Sequence, residues 1–363
     1  MTYRPEPEWR HGSAARTGVL LVNLGTPDEP TPAALRRYLA EFLGDPRVVE
    51  IPKLAWYPIL HGIILRTRPA KSAAKYASIW TPDGSPLAVW TKRQAAGLGE
   101  ALAARGHDVI VQPAMRYGSP SVASQLDALR AEGATRVLVL PLYPQYAAAT
   151  TASVADAVMA WSRDARRIPE WRFVNEYHDD PGYIGALAAS VREHWDAHGR
   201  GERLVLSFHG VPHRTLLLGD PYHCQCLKTA RLLGEALQLP REKLLVTFQS
   251  RFGKARWLEP YTEPTLRELA AAGVKSVDVM CPGFTADCLE TLEEINQEVR
   301  EAFVESGGER FGYIECLNGR ADWIDALVGV AERHLLGWDT QRPSAAPDLA
   351  AQRERALQAG ASA

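Results

Sequence analysis

Two stretches of this sequence hold side chains whose types and spacing could do chemistry. The first is LSFHGVP (206–212), an apolar run ending in His209, Gly210 and Pro212. The second is TADCLETLEEI (285–295), in which Asp287, Glu290 and Glu294 stand three and four residues apart. On an α-helix capped by Thr285 that spacing places three carboxylates in one column. Each stretch alone has a plainer reading. A strand-end histidine is readily satisfied by backbone groups, and acids in a first helical turn complement the helix dipole. Taken together, imidazole and carboxylates suit two chemistries: holding a divalent first-row metal with open coordination positions, or accepting protons near neutral pH. A reaction that needs both is metallation of a ligand with acidic N–H groups.

These residues need elements to position them. Short Val/Leu/Ile runs alternate with longer amphipathic stretches, the pattern of parallel strands joined by crossover helices, so the fold class is α/β. Strands are predicted at 18–23, 108–114, 136–141 and 171–176, then at 203–208, 243–249, 276–281 and 311–316. The two sets of four look like copies. GATRVLVLPLYP (133–144) matches GVKSVDVMCPGF (273–284), and YIGAL (183–187) matches WIDAL (323–327), both 140 residues apart. Upstream, LGTP (24–27) pairs with HGVP (209–212) and MRYG (115–118) with SRFG (250–253). Four matches in one order predict a duplicated, doubly wound lobe with a four-stranded parallel sheet. The ionisable residues break the symmetry: Leu24 stands where the second copy has His209, and Thr150 where it has Glu290. Ligands of open parallel sheets bind beyond the C-terminal strand ends, and clefts between lobes are preferred sites, so both rules point to the cleft.

The totals agree with a two-lobed protein. The chain has 363 residues, 46% of them hydrophobic, which suits two domains. We divide it at 17–198 and 199–337, with an insertion at about 30–90 in the first lobe and a disordered tail at 338–363. A net charge of −2 with both signs interspersed gives no footprint for nucleic acid. Five cysteines are an odd, sparse set that argues against a disulfide framework and for reduced thiols. The N-terminus has no apolar signal core, and AWYPILHGIIL (55–65), broken by Pro58 and His61, is too short to span a bilayer. A cytoplasmic location is expected.

Over roughly residues 17–335 the chain resembles the bacterial ferrochelatases. The resemblance rests on LLVNLGTPDEPT, LGDPRVV, GSPL, MRYGSPS, LYPQYAAATT, SFHGVP, GDPY, TFQSRFG, WLEPYT and CPGFTADCLETLEEI, in family order. It implies two similar Rossmann-like lobes and insertion of Fe2+ into protoporphyrin IX in the last step of haem synthesis, with release of two pyrrole protons. Carried over by position, it assigns proton and metal handling to His209 and Glu290. It extends an acidic track through Asp287 and Glu294, and gives porphyrin contacts to Leu24, Arg116, Tyr117, Tyr143 and Trp257. Arg116 would take a propionate in its guanidinium fork. The segment 55–65 matches the family's lip, whose apolar side would touch a membrane peripherally.

Ferrous iron is expected as substrate, with no organic cofactor. The [2Fe-2S] cluster of some relatives is not expected, because the mid-chain ligand position is Ala148 and no cysteine follows Cys316. The alternatives are the same reaction on coproporphyrin III, or a non-catalytic tetrapyrrole or metal carrier. A nucleotide-binding fold is disfavoured because neither first strand leads into a glycine-rich phosphate turn.

Overall fold

The computed structural model describes residues 3–4, 6–7, 11–253, 255–341 and 348–362. The first lobe runs β1 (Arg16–Thr26), α1 (Pro32–Gly44), α2 (Lys53–Ile59), α3 (Leu65–Ile79), α4 (Pro86–Ala104), β2 (Val109–Gly118) and α5 (Val122–Ala131). It continues with β3 (Ala134–Pro141), α6 (Ser153–Asp164), β4 (Glu170–Phe173) and α7 (Pro181–His198). The second lobe runs β5 (Arg203–His209), α8 (His213–Leu217), α9 (Tyr222–Ala236), β6 (Leu244–Gln249), α10 (Thr262–Ala271) and β7 (Ser276–Met280). It ends with α11 (Arg300–Glu305), β8 (Arg310–Ile314), α12 (Ala321–Leu335) and the separate helix α13 (Leu349–Gln358).

All eight predicted strands are present. They form two parallel sheets of identical order, β2-β1-β3-β4 and β6-β5-β7-β8. Strand registers bear out two of the four repeat matches, and α7 and α12, which carry YIGAL and WIDAL, begin at Pro181 and Ala321, at the spacing the third requires. Leu21 pairs with Leu140, and Leu206, its counterpart, pairs with Met280; Val139 pairs with Phe173 as Val279 pairs with Tyr313. The fourth match is corrected. Leu24 sits level with Arg116, between the pairs Asn23–Met115 and Gly25–Tyr117, whereas His209 pairs with Gln249. The counterpart of Arg116 is therefore Gln249, and SRFG lies in the loop beyond β6.

Strand alternation builds the packing. Val19 and Leu21 of β1, with Leu204, Leu206 and Phe208 of β5, join one core between the sheets, while Leu20, Val22 and Val205 face separate outer cores. The lobes also exchange their last helices. α7 packs on α9 and β8 of the second lobe, and α12 returns to α4 and β3 of the first. Tyr183 and Trp323, both fully buried, meet edge to face at 5.9 Å where these helices cross. The boundary at 198/199 divides the chain but not the core.

The insertion folds as α1 to α3, with a π-helical turn at Leu60–Ile64 after Pro58. It reaches the second lobe through Lys75, whose Nζ lies 2.9 Å from Glu293 and 2.7 Å from Glu298, and through a Glu50–Arg214 pair at 3.3 Å. Of the tail expected at 338–363, residues 342–347 and 363 lie outside those described. Trp338 and Thr340 are buried, and Thr340 accepts from the Asp108 N–H. α13 forms because Ala, Leu, Gln, Arg and Glu favour helix and Asp348 caps it, although it buries no residue.

Candidate active site

The sheets open onto a shared cleft at the point in each where strand order reverses, between β1 and β3 and between β5 and β7. A cavity open to solvent fills this cleft. Leu24, Tyr143, His209, Trp257 and Glu290 all line it, so five of the nine predicted site residues meet there. Phe42, Val48, Leu142, Val211 and Phe284 make the rest of the wall largely apolar.

His209 closes β5. Tyr222 donates to its backbone carbonyl at 3.0 Å, and Gly210 behind it cannot carry a Cβ, which would lie 2.7 Å from the Gln249 carbonyl. The ring's Nδ1 is 2.6 Å from the Gly210 carbonyl oxygen. A carbonyl only accepts, so Nδ1 carries a hydrogen, and it is the Nε2 position of the neutral ring that holds the lone pair. Nε2 has no protein partner among the described residues.

Glu290 opens a ten-residue π-helix, Glu290–Val299, which continues into α11. π-helical turns are rare and concentrate at functional sites; here the first lobe has one in the same place, Ala148–Ala152. Thr285 does not cap this helix. It lies several residues upstream, and its hydroxyl donates to the Leu142 carbonyl at 3.3 Å. Asp287 accordingly precedes the helix and leaves the expected column. It is buried and accepts from Tyr313 Oη (2.5 Å), Asn318 Nδ2 (2.6 Å) and Thr291 Oγ1 (3.0 Å). Its carboxylate is fully engaged as an anchor of the turn before Glu290.

Glu294 stays on the helix one turn beyond Glu290. It accepts from the Ser250 N–H at 2.7 Å, from Ser250 Oγ, and from Gln249 Nε2 at 3.3 Å. Burial raises its carboxyl above the usual range, against the hydrogen bond from Ser250. The Glu290 carboxylate neighbours the thiol of Cys288, which also lines the cavity and which burial and Glu290 push up, as they do the hydroxyls of Tyr76 and Tyr38.

Arg116 and Tyr117 lie behind the wall. The Arg116 guanidinium is 2.6 Å from Asp45 and donates through Nε to Ser153, rather than presenting a fork to the cavity. Tyr117, fully buried, donates to the same Asp45 oxygen at 2.8 Å. Burial would raise Asp45, but hydrogen bonds from Ser153, the Arg47 N–H and Tyr117, with the Arg116 charge, hold it below the usual carboxylate range. Asp45, Tyr222 and Cys288 were not predicted as site residues. The motifs LGDP, GDPY and DCLE contain them, but in a repeat of short motifs only their contacts mark them out, and the Arg116, Tyr117 and Ser153 partners of Asp45 lie 71 or more residues away.

Tyr143 Oη and Trp257 Nε1 are buried polar atoms without a protein partner among the described residues. Both are donors on the cavity wall. Among the described residues no three His, Cys, Asp or Glu side chains form a metal-binding group. Two protein donors, His209 and Glu290, would leave most of a metal's coordination positions to a ligand in the cavity.

The ferrochelatase family model matches residues 16–335. The chain is a member of the ferrochelatase family. It is 68% identical to the ferrochelatase of Methylibium petroleiphilum, covering 100% of both chains, and 63% identical to that of Polaromonas sp. strain JS666, covering 99% of this chain and 100% of the relative. Among solved structures it is similar to the sirohydrochlorin chelatase SirB of Bacillus subtilis subspecies spizizenii in complex with cobalt. That likeness has a TM-score of 0.50 at 13% identity over 90% of this chain and 99% of the other, a likeness of fold. A ferrochelatase is a lyase that inserts a metal into a porphyrin, the type of reaction the His209 and Glu290 chemistry suggested.

Proposed function

We propose that this ferrochelatase inserts Fe2+ into protoporphyrin IX, with His209 as the base that takes the pyrrole protons and Glu290 as the group that assists metal delivery. The observation that carries the reading is the unpartnered Nε2 of His209, facing a cavity that also holds the Glu290 carboxylate. A planar porphyrin keeps its nitrogen lone pairs and N–H hydrogens in the ring plane, so the incoming metal bonds only when the ring is bent. Contacts remote from the ring centre supply that distortion. Leu24, Tyr143 and Trp257 line the walls and are suited to hold the macrocycle. Two N–H bonds break, four Fe–N bonds form, two to the deprotonated nitrogens and two to those that already held lone pairs, and two protons leave through His209. Fe2+ sheds water as Glu290 and then the ring nitrogens replace it, while Glu294 extends the carboxylate path along the helix.

Arg116 and Tyr117 act from behind the wall, fixing Asp45 and Ser153 and so the base of the first lobe's π-turn. The preference for protoporphyrin over coproporphyrin is supported by the apolar side chains of the lining, Phe42, Val48, Leu142, Val211 and Phe284, which suit a vinyl and methyl edge better than further propionates. Four propionates would bring four charges against a surface with few partners for them, and unpaired buried charge is costly. Two propionates leave the vinyl and methyl edge to enter the apolar chamber.

We also propose a cytoplasmic protein whose mouth rests on a membrane surface. Leu54 is 94% exposed and Ile63 57% in the lip, and Leu217 is 75% exposed on α8, which the Glu50–Arg214 pair joins to it. No helix among the described residues is long and apolar enough to cross a membrane.

Anaerobic incubation with Fe2+ and either porphyrin, followed by absorbance, tests the reading. Haem formation from protoporphyrin at a kcat/KM at least tenfold above that for coproporphyrin supports it; the reverse order overturns the substrate assignment.

A further inference from the structure

Ser250 is one of three non-glycine residues with a left-handed backbone among those described, at φ +65°. An L-residue rarely adopts that conformation without something to hold it there. It immediately follows β6, whose last residue, Gln249, pairs with His209 across the sheet. The left-handed turn aims the Ser250 N–H and the Ser250 hydroxyl at the two oxygens of one carboxylate, that of Glu294.

Gln249 completes the bracket. Buried at the strand end, it donates through Nε2 to the Glu290 carbonyl at 2.8 Å as well as to Glu294. Its Oε1 accepts from Ser207 Oγ at 2.8 Å, and Ser207 is bonded in turn to Thr262, which bonds Thr247. This chain ties the π-helix to β6 and to β5, the strand that ends in His209. The bracket therefore sets where both carboxylates stand relative to the imidazole.

We infer that Ser250 is a positioning residue for iron delivery: its left-handed backbone clamps Glu294 in line with Glu290, so that Fe2+ passes between two carboxylates of fixed spacing. A fixed pair binds a dehydrating cation better than a mobile one, because the ordering cost is met before the metal arrives. The inference rests on the reading of Glu294 as part of the metal path. Glycine at this position would keep the backbone and its N–H but lose the hydroxyl, alanine would lose the hydroxyl and resist the φ, and asparagine tolerates the φ and restores a side-chain donor.

The experiment is steady-state kinetics of Ser250→Gly, Ser250→Ala, Ser250→Asn and Glu294→Gln under anaerobic conditions, with Fe2+ and protoporphyrin varied separately and a thermal melt of each variant. The KM for iron should rise roughly tenfold in the Gly and Ala variants, as expected for a lost hydrogen bond to a charged group. The KM for porphyrin should stay within about twofold and the Asn variant should recover most of the loss. If Ala does not fold, Gly carries the test, since it meets the backbone requirement. An unchanged iron KM in Ser250→Gly, or a porphyrin KM rising in step, overturns the inference. Glu294→Gln separates the two failures. If it raises the iron KM while Ser250→Gly does not, Ser250 alone is misassigned; if it leaves the iron KM unchanged, the metal path itself is misassigned.

Discussion

Arg116 and Asp45, 71 residues apart in sequence, meet at 2.6 Å behind the cavity wall, and the same Asp45 oxygen also accepts from Tyr117 and Ser153. A carboxylate so enclosed is stable only as long as its partners remain. Asp45→Asn should cost about 3 kcal/mol at pH 7, because it leaves a guanidinium without its counter-charge. Asp45 is held below its ordinary value of 3.8, so its contribution is present above that value and lost as pH falls through the lower, folded one. The difference in unfolding free energy between wild type and variant should shrink in denaturant melts taken from pH 7 to below 3.8; a constant gap would contradict the assignment.

His209→Ala should lower kcat on the order of 100-fold or more, the range of a lost general base, with porphyrin affinity little changed. Stopped-flow single turnover at saturating iron, together with porphyrin fluorescence quenching, separates the two quantities. Near-normal turnover would remove His209 as base.

Glu290→Gln keeps the shape of the side chain and removes its charge. We expect kcat/KM for iron to fall about 100-fold, with Glu290→Asp intermediate, in the same anaerobic assay. An effect confined to the porphyrin KM would instead make Glu290 a ring contact.

Gly25→Ala tests the backbone packing that seats the first lobe's wall. Gly25 has φ +110°, and an added Cβ would sit 1.8 Å from the Tyr117 carbonyl oxygen. Strain and overpacking together should destabilise by about 3 kcal/mol in urea unfolding.

Leu54→Glu with Ile63→Glu should abolish flotation with liposomes while leaving turnover in detergent unaltered, as both side chains are exposed outside the cavity. Equal flotation of variant and wild type would exclude the lip as the contact.

Much of this arrangement can be read from the residues. The eight strands announce themselves because buried parallel strands need continuous apolar runs, and two of the repeat matches follow the paired registers of β1 and β3 in one sheet and of β5 and β7 in the other. The MRYG match failed because similar residue types recur two positions out of register, which only pairing reveals. The column of acids failed for a geometric reason: a 3.6-residue period presumes an α-helix, whereas the segment starts later, at Glu290, and winds as a π-helix. Asp287 thereby drops into the turn, where Asn318 and Tyr313 take it. Arg116 was read as free for a propionate because its partner, Asp45, belongs to a distant segment.

The crossing of α7 and α12 limits how the molecule can breathe. A chain cut at Gly199 would leave one half with a helix that has nothing to lean on and the other with a sheet face stripped to solvent. The halves therefore cannot swing apart like a clamshell, and a broad flat guest must be admitted by small displacements of the segments framing the mouth.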